Sequence, residues 1–142
     1  SLTQLTTQFG KFGARLYELC RGIDNRPVNP SRQRKSLSAE TTFVKDLANQ
    51  EICLPHILQL TNELERRIAK TNHASQICRL TMKIKFNNFK MTTASKHGRV
   101  IKLAEYEELF IKAWRRQSRP VRLLGVGVDI ANDRDESQNL LF

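Results

Sequence analysis

The segment Ile77–Phe86, ICRLTMKIKF, constrains this chain more than any other stretch. Apolar and polar residues alternate along it, with Cys78, Leu80, Met82, Ile84 and Phe86 set against Arg79, Thr81, Lys83 and Lys85. A period of two belongs to an extended strand, whose successive Cβ atoms point to opposite sides. A strand with one oily face and one cationic face finds a stable place only in a sheet covered on one side and wet on the other. Asn87 and Asn88 come next, a pair that tolerates positive φ and predicts a two-residue hairpin turn. In that register Phe86 lies opposite Phe89, so Phe89, Met91 and Thr93 turn inward while Lys90, Thr92 and Lys96 turn outward.

The other elements follow from the same two periodicities. In SLSAETTF, Leu37, Ala39, Thr41 and Phe43 oppose Ser36, Ser38, Glu40 and Thr42, which predicts a strand. Leu54, Ile57, Leu58, Leu64 and Ile68 recur at helical spacings between about Gln50 and Lys70, with Pro55 near the start, where proline costs least. A second helix runs from about Leu103 to Gln117 with Leu103, Tyr106, Phe110, Ala113 and Trp114 as its apolar stripe, and Pro120 helps to end it. The last strand, VRLLGVGVDI, buries Leu124, Val126, Val128 and Ile130 and turns Leu123, Gly125, Gly127 and Asp129 outward. The order strand, helix, strand, strand, helix, strand predicts an α+β fold: a four-stranded, antiparallel-rich sheet of βαββαβ order with two helices on one face.

Before this unit the chain reads differently. Phe12, Leu16, Leu19 and Cys20 form a helical stripe that Gly22 can stop, and one stripe cannot bury itself, so residues 1–24 look like the cut end of a helical domain. Residues 25–35 shift to Asn, Pro, Ser, Arg and Lys and read as a basic linker. The sheet unit then spans residues 36–131, and residues 132–142 form an acidic, polar tail that ends on Leu140, Leu141 and Phe142. An apolar cluster at a chain end must dock on its own protein or on a partner.

The chain carries 24 Lys plus Arg against 14 Asp plus Glu, a formal charge of +10, which is the footprint of a nucleic-acid binder. Its apolar runs are far too short to span a membrane and no signal segment opens it, so a cytoplasmic protein without a membrane partner is expected. Cys20, Cys53 and Cys78 lack the spacing of a zinc ribbon or disulfide framework, and His56, His73 and His97 are scattered, so no metal site is expected.

The predicted open face carries Ser36, Ser38, Thr42, Arg79, Lys83, Lys85, Lys90 and Thr92, with Gly125 and Gly127 admitting close approach of another backbone. Arg32, Arg34 and Lys35 lead into it. Cations and hydroxyls suit phosphate oxygens, and with Phe86 and Phe89 assigned to the core the face offers no aromatic stacking platform. Grip without base reading is the expectation; a free-standing RNA-binding module of the same topology is the alternative. No catalytic residue stands out. Asp133, Asp135 and Glu136 mimic a Mg²⁺-holding carboxylate pair but lie in the tail, where nothing fixes them, and GVG precedes no helix.

Several segments, in order, carry a family resemblance: FGKFGARLYELCRGIDNRPV, RKSLSAETTF, LERRIAK, MKIKFNNFKMTT and RPVRLLGVGV. Together they resemble the C-terminal third of the bacterial DNA polymerase IV (DinB) class of Y-family translesion polymerases. The resemblance implies that residues 1–24 end a thumb domain, that the linker tethers it, and that residues 36–131 are the little finger, which holds duplex primer-template DNA by its backbones. Carried over by position, Arg34, Lys35, Ser36, Ser38, Lys83, Lys85, Lys90, Thr92 and Thr93 face DNA, although the alternation above turns Thr93 inward. Gly10, Lys11 and Gly13 match a thumb turn able to meet a phosphate. The catalytic carboxylates and Mg²⁺ of such a polymerase belong to a palm domain, so this fragment holds no cofactor and is expected to be an inactive monomer by itself. The tail resembles a bacterial sliding-clamp peptide: Gln138, Leu141 and Phe142 match, beside Leu140, and Asn139 stands where the pattern has leucine.

Overall fold

The computed structural model describes residues 1–131. The chain divides into two compact units, Ser1–Gln33 and a larger one from Arg34 onward.

The first unit contains α1 (Leu2–Phe9) and α2 (Lys11–Leu19), separated by Gly10 at φ 57°. Ser1 caps α1 by accepting from the Gln4 N–H while the Gln4 side chain reaches back, a reciprocal capping box. The helices touch where Gly13 meets Leu5: a Cβ at position 13 would sit 2.0 Å from the Leu5 carbonyl oxygen. Only a residue without a side chain permits that approach. Phe9 and Phe12 stay exposed, and Gly13 is the one buried residue of these two helices, so the pair encloses no core of its own.

The larger unit has the predicted α+β architecture. Its elements are β1 (Ser36–Leu47), α3 (Gln50–Ala69), a short 3₁₀ turn (Ala74–Gln76), β2 (Ile77–Phe86), β3 (Met91–His97), α4 (Leu103–Trp114) and β4 (Val121–Ile130). The four strands form one sheet in the order β1-β4-β2-β3, and every neighbouring pair is antiparallel. Asn49 caps α3 by accepting from the Ile52 N–H at 3.1 Å. Both helices pack on one face of the sheet. Cys53, Ile57, Leu60, Leu64 and Ile68 of α3 and Tyr106, Leu109, Phe110 and Ala113 of α4 meet Leu80, Met82, Ile84, Phe86, Leu124, Val126 and Val128. Leu58, expected in the stripe, stays exposed, and Leu60, one helical turn after Ile57, takes the core place. Tyr106 pins α4 to the central strand by donating from its hydroxyl to the Gly127 carbonyl at 2.8 Å.

Two irregularities correct the predicted strand phases. Ile77 pairs with Ile130 while Arg79 pairs with Asp129, so Cys78 is the extra residue of a β-bulge. Ile77 therefore takes the buried place expected for Cys78, which is half-buried with its thiol donating to the Asp129 carbonyl at 3.4 Å. The second correction is larger. The hairpin turn holds three residues, Asn87, Asn88 and Phe89: the Phe89 N–H bonds the Phe86 carbonyl, and the Phe86 N–H bonds Lys90 O, each at 2.9 Å. Phe89 closes the turn in the left-handed region at φ 63°. One residue more than expected inverts all of β3. Lys85 now faces Met91, Ile84 faces Thr92, Lys83 faces Thr93 and Met82 faces Ala94. Thr92, Ala94 and Lys96 lie on the helix side, and Met91, Thr93 and Ser95 on the open side.

Candidate nucleic-acid interface

The pairing registers make the uncovered face a regular grid of cross-strand rows. Ser36, Asp129, Arg79 and His97 form the first row; Ser38, Gly127, Thr81 and Ser95 the second. Glu40, Gly125, Lys83 and Thr93 form the third; Thr42, Leu123, Lys85 and Met91 the fourth. No position of this grid is Phe, Tyr or Trp. The two glycines of β4 leave a shallow depression of about 50 Å³ between Ser38, Glu40, Thr81 and Lys83. The hydroxyls of Ser38 and Thr81 flank it on the Gly127 side, and the paired side chains of Glu40 and Lys83 cross it at Gly125.

Six of the predicted site residues meet on this face: Ser36, Ser38, Thr42, Arg79, Lys83 and Lys85. Arg34 and Lys35 are exposed and lead into its first row, where the Lys35 carbonyl accepts from the Ile130 N–H at 2.8 Å. Lys90 and Thr92 are corrections. Lys90 lies opposite Phe86, in phase with the helix side, and the Thr92 hydroxyl accepts a hydrogen bond from Arg116, which follows α4. Lys96, expected outward, is bound from the helix side by Glu105 and Glu108 of α4. Those two carboxylates, Glu105 first, raise the pKa of the ammonium. Thr93, which simple alternation turns inward, shares the open face with Lys83.

Thr81, Thr93 and Ser95 add hydroxyls that the open-face residue set lacked; Thr81 was legible from the β2 alternation, the other two only once the turn length is known. The face is also less cationic than its basic residues suggest. Glu40 Oε2 lies 2.8 Å from Lys83 Nζ, and Asp129 Oδ2 lies 3.8 Å from Arg79. At the hairpin end the guanidinium of Arg122 sits 4.8 Å from the centre of the exposed Phe89 ring, a cation–π contact, and 3.9 Å from Asp46.

Arg32, Gly10, Lys11 and Gly13 belong to the first unit. There the Gly10 N–H caps α1 at the Thr6 carbonyl and the Gly13 N–H bonds Gly10 O at 3.0 Å. The amides left for an anion are those that open α2, at Lys11 and Phe12. The tail residues Asp133, Asp135, Glu136, Gln138, Leu140, Leu141 and Phe142 lie outside the described residues. Among the described residues no group of three or more His, Cys, Asp or Glu is placed to hold a metal ion. Burial pushes the Cys53 thiol up to about 12, which leaves it inert. No helix among the described residues is long and apolar enough to cross a membrane.

Comparison with known proteins agrees with this architecture. Residues 34–141 match the impB/mucB/samB family C-terminal domain. DNA polymerase IV of Legionella pneumophila (strain Lens) is 45% identical over 133 residues, which is 94% of this chain and 38% of that protein. This chain thus spans under two fifths of the length of that relative. Among solved structures, a complex of beta-clamp processivity factor and the little finger domain of PolIV matches with a TM-score of 0.64 at 32% identity, over 68% of this chain and 89% of that one. A Y-family DNA polymerase chimera shares the fold with a TM-score of 0.65 at 20% identity, over 91% of this chain and 38% of that one. The sheet with its two helices is therefore a little finger domain of the DNA polymerase IV type, and the chain belongs to the impB/mucB/samB family.

Proposed function

We propose that the larger unit holds duplex primer-template DNA for an error-prone translesion polymerase, and that the C-terminal residues tether that polymerase to a replication sliding clamp. The observation that carries this reading is the grid on the uncovered face. Arg79, Lys83 and Lys85 stand among the hydroxyls of Ser36, Ser38, Thr42, Thr81, Thr93 and Ser95, beside a strip of glycine and without a Phe, Tyr or Trp ring. Phosphate oxygens accept from all of these donors, and none of them reads a base edge that lies deep in a groove. A single-strand binder needs a run of π-faces for its bases, which this face does not offer.

Arg32, Arg34 and Lys35 extend the same charge from the linker, and Lys11 with the α2 amides adds a phosphate contact from the thumb portion, residues 1–24. Gln138, Leu140, Leu141 and Phe142 supply the clamp peptide, with the last two as buried anchors. The relative solved as a beta-clamp complex supports this tether. Nucleotidyl transfer and its Mg²⁺ ions belong to a palm domain of the longer polymerase, which works as a monomer on cytoplasmic bacterial DNA.

Fluorescence anisotropy with short duplexes of several sequences tests the grip. Lys85→Ala, alone and with Lys83→Ala, weakens binding evenly across sequences and flattens the log–log salt slope by about 0.9 for each phosphate no longer neutralised. Loss confined to some sequences, or tighter binding to single-stranded RNA than to duplex, overturns the reading. Truncation after Ser137 abolishes clamp binding and leaves duplex affinity intact; retained clamp binding overturns the tether.

A further inference from the structure

The third row of the open face holds an ion pair that works against the proposed grip. Glu40 on β1 and Lys83 on β2 both pair with Gly125 of the strand between them. With no side chain at position 125 the two reach across it and meet at 2.8 Å. A Cβ there would sit 3.1 Å from that of Glu40 and 3.6 Å from that of Lys83, so the glycine is what lets the bridge close. Asp129 and Arg79, direct neighbours in the first row, form a looser pair at 3.8 Å. Both side chains of the Glu40–Lys83 pair are partly exposed, at 46% and 39%, so a competing anion can reach the ammonium. Of the three cations on the face only Lys85 has no carboxylate at ion-pair distance among the described residues.

A phosphate that arrives at Lys83 must displace Glu40 and then remain beside a carboxylate of its own sign. We propose that Glu40, with Asp129 as a weaker counterpart, sets an upper limit on duplex affinity by competing with DNA phosphates for Lys83 and Arg79. This rests on the duplex-holding reading above. The consequence is a hold that forms and breaks readily, which suits a module that must move along DNA. Removing the carboxylate leaves Lys83 in place and frees it, so affinity rises although no new contact is built.

The test compares Glu40→Gln, Asp129→Asn and Glu65→Gln with the unaltered chain on a short mixed-sequence duplex across a salt series. Glu65 is exposed on α3, in the helix layer behind the sheet, and controls for net charge. Glu40→Gln is expected to bind about two- to five-fold tighter, with a salt slope steeper by about 0.9, and Asp129→Asn to show a smaller gain. In a Lys83→Ala background the Glu40→Gln gain shrinks, because the ammonium it would free is gone. Unchanged or weaker binding by Glu40→Gln overturns the proposal, as does an equal gain from Glu65→Gln. Absence of salt-dependent duplex binding by the unaltered chain overturns the underlying reading instead, so the two failures are distinct.

Discussion

The guanidinium of Arg116 donates at 2.8 Å to the backbone carbonyl of Thr93, on the free edge of β3. Lys90 turns its carbonyl toward β2, so alternation along the strand turns that of Thr93 away from it, where no strand follows among the described residues. The opposite edge is treated alike: Arg67 of α3 donates at 2.7 Å to the carbonyl of Ser38 on β1. Arg67 of α3 and Arg116, in the turn after α4, thus each occupy an edge acceptor that another chain would otherwise pair with. Arg67→Met and Arg116→Met should each cost about 1 kcal/mol in urea melts, and the double variant should self-associate in size-exclusion chromatography.

Lys96 separates a structural cation from those of the open face. Its ammonium is held between Glu105 and Glu108 on the helix side. Lys96→Ala should lower the melting temperature while duplex affinity stays within about two-fold of the unaltered chain. Lys85→Ala should do the reverse.

Gly13 tests the first unit by itself. Gly13→Ala places a methyl group in the Leu5 carbonyl and should separate α1 from α2, at a cost of about 2–3 kcal/mol. Limited proteolysis should then cut within the first thirty or so residues more readily, and the urea midpoint of the sheet unit should stay where it is.

Acid should loosen the β1 edge. Hydrogen bonds from Arg66, then Arg67, hold the Glu63 carboxyl below its ordinary value of 4.5, and Arg67 is the arginine that caps Ser38. A carboxylate with a depressed pKa in the fold contributes stability that is complete above its ordinary value and is lost as pH falls through the lowered one. Melting temperature should therefore fall below about pH 4.5, and Glu63→Gln should flatten that part of the profile while lowering stability at neutral pH. An unchanged acid limb in Glu63→Gln would show that other carboxylates control it.

The strand phases of β2 and β4 were readable because apolar side chains there recur with period two and each strand has one covered face. The α4 stripe was readable for the same kind of reason at helical spacing. Leu58 misled because a stripe read from hydrophobicity alone does not show where α3 meets the sheet. Of the site, Ser36, Ser38, Thr42, Arg79, Lys83 and Lys85 were legible, since each sits on a strand whose buried face identifies itself. Lys90 and Thr92 were not, because their assignment depended on a turn length rather than on their own segment.

Sequence alone determined the order of the elements, the face that β1, β2 and β4 bury, the location of excess positive charge and, through its ordered segments, the family. These are local properties, written in the period of side chains along one stretch of backbone. Tertiary structure decided what depends on register between stretches: that Phe89 enters the turn as a third residue and inverts β3, that Cys78 bulges and yields its place to Ile77, and that Glu40 meets Lys83 over Gly125. With period two, one residue more or fewer reverses every side chain that follows, so such contacts become known only when the strands are laid side by side.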